Sequence, residues 1–131
     1  MATFVQDSGL DIVTNRIKGA GTEPLNIGWG TGAGTTVRTE TTLFTEKLVD
    51  LTTSAGTDHT VGTSSRVTTT TTNDTYQVTG TRTATGAGTV TNSGLFDAAS
   101  GGNLFLKGDF TGIGLAAMDS IAYTIKAIFD N

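Results

Sequence analysis

The stretch NSGLFDAASGGNLFLKGDF, residues 92–110, decides how the rest of the chain is read. Leu95 and Phe96 on one side, and Leu104, Leu106 and Phe110 on the other, read as two short apolar strands. Between them Ala98-Ala99-Ser100-Gly101-Gly102 has the small residues of a hairpin loop, and Gly101 or Gly102 takes positive φ at little cost. The stretch holds most of the large apolar side chains in the middle of a chain otherwise rich in Thr and Gly. We expect this hairpin to nucleate the core, with the flanking strands packed around it.

Outward from the hairpin the pattern is strand after strand. Residues 76–85 alternate cleanly, with Tyr76, Val78, Gly80, Arg82 and Ala84 on one side and Gln77, Thr79, Thr81 and Thr83 on the other. Gly86-Ala87-Gly88 turns the chain into a strand over 89–96, and Asn73-Asp74 forms a turn before residue 76. Residues 61–72 read as a further strand, although the run of threonines gives little contrast between its faces. Beyond the hairpin, 112–120 reads as a loop. The last strand covers 121–129, with Ile121, Tyr123, Ile125, Ala127 and Phe129 facing one way.

The first half is less regular. A helix is expected over 9–18, capped by Ser8 with Asp11 as a weak capping box, ended by Gly19, and apolar along Leu10, Val13 and Ile17. That face would cover an open sheet end. Residues 1–8 read as an extended arm. Residues 19–36 form a Gly-rich connection with a short strand at 25–29, and the glycines at 28, 30, 32 and 34 match neither a dinucleotide fingerprint nor a P-loop. Residues 37–50 read as a loop with one helical turn, and 54–60 as a turn carrying His59.

Composition sets the class. Twenty-nine Thr and 18 Gly stand beside one Pro, and only 15% of residues are charged. Thr favours strands and Gly favours turns, so the expected fold is all-β: one domain over 1–131, a β-sandwich of jelly-roll type with one short N-terminal helix. The net charge of −4 with eight Lys and Arg leaves no basic patch for a phosphate backbone. No cysteine is present, and no apolar run reaches the length of a bilayer span. The first residues lack the charged and apolar regions of a secretory signal, so synthesis in the cytoplasm is expected.

Candidate chemistry is sparse. His59 beside Asp58 is the only imidazole, which leaves a metal site without further His or Cys ligands; no GxSxG is present, and no serine has a base other than this one histidine, which speaks against a hydrolytic triad. We read it as a surface histidine in a turn. Asp97 and Asp109 could approach each other across the hairpin as a glycosidase pair does. Carboxylates at strand ends more commonly form turns or pair with a cation, here Lys107 or Arg82. Asn73-Asp74-Thr75 is a formal glycosylation sequon. The reading is therefore of a protein without catalytic, cofactor or metal residues. Its candidate interface residues are Phe4 and Val5, apolar and outside the expected core elements, then Trp29, the only tryptophan, and Phe44.

Four segments carry a resemblance: VTNRIKGAGTEPLNIGWGTG near the start, YQVTGT, SGLFDAASGGNLFLKGDF, and the closing DSIAYTIKAIF. Together they resemble small virion structural proteins of tailed bacteriophages, and the C-terminal half resembles a module of capsid decoration (cement), head-fibre and tail-fibre proteins. In that module a GLFD strand and an LF-[KR]-x-x-F strand form a hairpin, and a late DS-[IL] turn starts the last strand. The resemblance implies a capsid decoration protein on the outer surface of the virion, bound to the major capsid protein and to itself, as a homotrimer ahead of a homodimer. It implies no nucleic-acid or membrane partner. A tail, baseplate or fibre-associated component is the alternative, and a host-glycan binding domain is a third class.

Overall fold

In the computed structural model residues 3–54 and 58–129 are described. They form two antiparallel sheets packed face to face, a β-sandwich, with one helix near the N-terminus. The elements in order are β1 (Thr3–Val5), α1 (Asp7–Lys18), β2 (Asn26–Gly30), β3 (Glu46–Lys47), β4 (Thr60–Val61), β5 (Thr63–Val67), β6 (Thr75–Thr83), β7 (Gly88–Phe96), β8 (Leu104–Leu115) and β9 (Ser120–Ile128). The larger sheet, A, has the order β1-β8-β7-β2-β3, with β4 also paired to β2; the smaller, B, has the order β5-β6-β9. These unequal sheets depart from the eight-stranded double Greek key of a regular jelly roll.

The organising hairpin is β7 and β8. Leu95 pairs with Leu106 and Ser93 with Gly108, and both Gly101 (φ 64°) and Gly102 (φ 81°) take the left-handed conformation in the turn. Strand β8 runs on to Leu115, so the expected loop over 112–120 shrinks to a turn at 116–119. Pairing of Thr89 with Gly114 and Gly88 with Leu115 holds the extra residues in the sheet. The alternation of β6 and β9 is as expected: they pair over nine residues, and Val78, Arg82, Ala84 and Ala127 are buried. Phe129 lies past the end of β9 and is 55% exposed.

The core fills the space between the sheets. Ile27, Leu95 and Leu106 of sheet A meet Val78 and Ala127 of sheet B in one cluster, and Trp29, Val90, Leu115, Ala84 and Leu51 form a second. A hydrogen bond of 2.6 Å joins Ser93 Oγ to the Tyr123 hydroxyl across the gap. The expected strand over 61–72 is divided. β4 belongs to sheet A and β5 to sheet B, and Gly62 makes the corner, where a Cβ would strike the Val78 side chain. The threonines after Val67 leave the sheet and wrap around Asp74.

Three other expectations are corrected. Thr3–Val5 is not a free arm but a strand on β8, and Asp7 and Ser8 already belong to α1; Met1 and Ala2 lie outside the described residues. The helix ends at Gly19 (φ 90°) as expected, but Gln6 holds the N-cap position without a side-chain cap, and Ser8 Oγ donates to the Leu104 carbonyl instead. The buried face is Gly9 and Ile12, and Val13 of the expected stripe is half-buried against the core, while Leu10 and Ile17 are exposed. Close approach decides this: a Cβ at residue 9 would overlap the Phe105 carbonyl, so the helix turns its smallest residue to the sheet. No helical turn forms over 37–50, where the short strand β3 pairs with β2.

Candidate interaction surface

Alternation in β2 sends Ile27 and Trp29 into the core and Gly28 and Gly30 to the outer face of sheet A. Gly94 of β7 shares that outer face, so the sheet presents a shallow floor without side chains. Residues 31–45 lie on this floor. The neck of the loop is closed by backbone hydrogen bonds from Thr31 N to Thr45 O (3.1 Å) and from Gly32 N to Phe44 O (3.0 Å). Leu43 packs into a small apolar cluster with Phe96 and Leu104.

Four polar side chains from the sheet and its N-terminal flank hold the loop down. Asn92 imitates a neighbouring strand: its Oδ1 accepts from Phe44 N at 3.0 Å and its Nδ2 donates to Phe44 O at 3.1 Å. Asp109 Oδ1 accepts from Thr36 N at 2.8 Å. Gln6 Nε2 donates to the carbonyls of Val37 and Glu40, each at 2.8 Å. Lys107 Nζ donates to Glu40 Oε2 and Thr42 O, both at 3.0 Å, and sits 3.2 Å from the centre of the Phe44 ring. Gln6, Asn92 and Lys107 are buried, so each needs these partners. At the rim, Phe4 is 40% and Val37 50% exposed, and an exposed ion pair joins Arg38 to Asp7 at 3.4 Å.

The candidate interface residues therefore divide. Phe4 stands on β1, opposite Lys107 in register, with its ring partly open to solvent. Val5 faces the other way and packs against the main core cluster. Trp29 is wholly buried; its Nε1 donates to Leu48 O at 3.1 Å, and the Arg82 guanidinium lies 4.8 Å from its ring centre. Phe44 is half-buried over Lys107. Phe4 and Phe44 thus belong to one surface, and Val5 and Trp29 to the core.

His59 is not at the surface. It is buried, its ring stacks on Phe96 at 4.0 Å, Nδ1 donates to Ala98 O at 2.9 Å, and Nε2 meets Glu46 Oε1 at 2.7 Å. Both nitrogens are thereby engaged in joining β3 to the hairpin turn. Asp97 and Asp109 are not brought together, and Asp97 is the turn-former expected of a strand-end carboxylate. Asp97 accepts from Asn103 N within the turn, whereas Asp109 lies opposite Asn92, well along β8. Lys107 pairs with Glu40 and Arg82 with Asp58.

Arg82 is buried between the sheets, donating to Thr60 Oγ1 and to Asp58 O at 2.8 Å each. Burial pushes its pKa down, and the Asp58 charge opposes that shift. Burial pushes the Tyr123 hydroxyl up to about 12. Among the described residues no three His, Cys, Asp or Glu side chains are grouped to hold a metal ion, and no helix is long and apolar enough to cross a membrane. No family model matches the chain, and no curated protein or solved structure is significantly similar to it.

Of the residues that fix the loop, the sequence singles out Asp109 and Lys107 only as a strand-end carboxylate and a candidate cation partner, and does not mark Gln6 or Asn92. One signal for them was present. Glycines at 28, 30, 32 and 34 all fall on one face of an extended chain, and a strand face built of glycine is a place where other backbone comes close.

Proposed function

We propose that the protein is a structural component of a bacteriophage virion: a capsid decoration protein that binds the outer face of the major capsid lattice and stabilises the head. The observation that carries this reading is the anchored loop over 31–45, held by Gln6, Asn92, Lys107 and Asp109, which presents exposed Val37 and is bordered by exposed Phe4. A surface ordered before it meets a partner loses little conformational entropy on docking. Many such contacts, repeated over a lattice and tied together through copies of the chain, add by avidity, and binding only to the mature lattice stabilises it by linkage. The acidic balance suits a position facing away from the packaged genome.

Copy number in purified particles, measured by quantitative mass spectrometry against the major capsid protein, tests the reading. A count on the order of hundreds, in a simple ratio to the capsid protein, is what icosahedral symmetry requires. On the order of a dozen copies or fewer would place the protein in the tail, baseplate or fibre, and absence from particles would overturn the virion reading. The variants Phe4→Ser and Val37→Ser, both at exposed positions, are expected to fold and to bind capsids more weakly, together by about tenfold, a loss of about 1.4 kcal/mol shared between two interface contacts.

A further inference from the structure

The edges of the two sheets are not alike. At the margins of sheet A, β1, β3 and β4 have three, two and two residues, and where β1 stops β8 forms the edge over 109–115 among the described residues, interrupted by a bulge against β7 between Val90 and Asn92; in sheet B β5 has five residues and carries Arg66. β9 runs for nine residues, pairs with β6 alone among the described residues, and keeps an unbroken register from Ser120 to Ile128. It contains no proline and no bulge, and its single charge is Lys126. The usual devices that stop an edge from recruiting another strand are short length, proline, bulges and charge, and here they reduce to one lysine. Beside this edge an open cleft enters between the sheets, lined by Thr3, Leu106, Phe110, Tyr123 and Ile125 among others. Tyr123 and Ile125 point inward yet stay only half-buried.

We propose that β9 pairs antiparallel with β9 of a second copy of this chain about a two-fold axis, joining two three-stranded sheets into one of six strands. The register centred on Thr124 overlaps all nine residues. That register also sets Lys126 opposite Ala122 of the second copy, and Tyr123 opposite Ile125 of the second copy, at the mouth of the cleft. A register centred on Lys126 would shorten the overlap and oppose two like charges. Length and charge therefore select one arrangement, and its self-complementarity is what an isologous two-fold interface requires. Two-fold pairing takes the place of the trimer that the family resemblance implied, and it stands independently of the virion reading.

Sedimentation equilibrium of the purified protein tests the assembly, and Ala122 tests the register. Its side chain lies on the exposed outer face, so both charge variants should leave the subunit folded. Ala122→Glu should tighten the dimer and Ala122→Lys should weaken it, each about tenfold, because the pair with Lys126 of the second copy occurs twice by symmetry. The chain has no cysteine, so Thr124→Cys supplies a unique thiol that should cross-link across the axis on oxidation. Thr79→Cys, one strand in from the edge on β6, should not. A protein that remains monomeric, a dimer that responds alike to both Ala122 variants, or equal cross-linking from positions 79 and 124 would each overturn the proposal.

Discussion

Lys107 and Glu40, 67 residues apart in the chain, meet at 3.0 Å beneath the loop, with the lysine side chain wholly excluded from solvent and the carboxylate 24% exposed. A cation buried in this way depends on its partner more than the partner depends on it. Removing the carboxylate with Glu40→Ala strands the charge and should cost about 3 kcal/mol in urea unfolding. Lys107→Met, which removes charge and burial cost together, should cost less than about 1.5 kcal/mol. In the double variant the Glu40 change should have little further effect.

The floor of sheet A is bare because the loop backbone needs the space. A Cβ at Gly30 would overlap the Phe44 carbonyl oxygen, which Asn92 and Gly32 also hold in place. Gly30→Ala should therefore destabilise the protein by about 1–3 kcal/mol, as overpacking does. It should also raise amide exchange through residues 31–45. Gly114→Ala, where nothing lies within 4 Å of the added carbon, is the control and should leave both unchanged.

Two half-buried aspartates organise threonine turns, and both should appear in the acid limb of stability. Hydrogen bonds from Thr53 and then Thr52 hold the Asp50 carboxyl down at about 2, against an ordinary value of 3.8. The backbone amides of Thr71, Thr69 and Thr70 push Asp74 lower still. Because the folded values lie below the unfolded ones, this stabilisation is complete above the ordinary carboxylate pKa. It is lost as pH falls from about 4 through 2. Stability measured by denaturant should fall across that window, and Asp74→Asn should flatten the fall while lowering stability at pH 7.

Arg82 lies over Trp29 and uses its fork to reach both Thr60 and the Asp58 carbonyl. A lysine ammonium cannot stack on the indole and satisfy both acceptors from the same place. Arg82→Lys is thus expected to lower stability by about 2 kcal/mol. Emission from Trp29, the only tryptophan, should be that of a buried indole and resist quenching by acrylamide in the parent protein. Easier quenching in the variant would accompany the loss.

The clearest alternation belongs to strands buried on one face only. β6 and β9 alternate because one side of each meets sheet A, and that periodicity survives in Tyr76, Val78, Ile121 and Tyr123, whereas the β7–β8 hairpin, buried on both faces over 92–96 and 104–107, was legible from its apolar residues and small-residue turn. The helix face was misjudged because hydropathy favoured Leu10 and Ile17, whereas contact with the Phe105 carbonyl favoured Gly9. Nothing local marks His59 as buried, since its stacking partner Phe96 arrives from the hairpin. The loop over 31–45 was opaque for a related reason. It has almost no apolar pattern of its own, and the side chains that hold it come from residues 6, 92, 107 and 109.

Sheet A is closed by its first strand, and that strand has its partner 105 residues downstream: Thr3 sits opposite Gly108. During synthesis the early residues must wait, unpaired, until β8 has left the ribosome, so the sheet that carries the loop cannot be completed piece by piece. Folding should be late and slow, as expected of a topology dominated by distant pairings. A protein truncated before residue 104 should accumulate as a protease-sensitive chain rather than as a smaller folded unit.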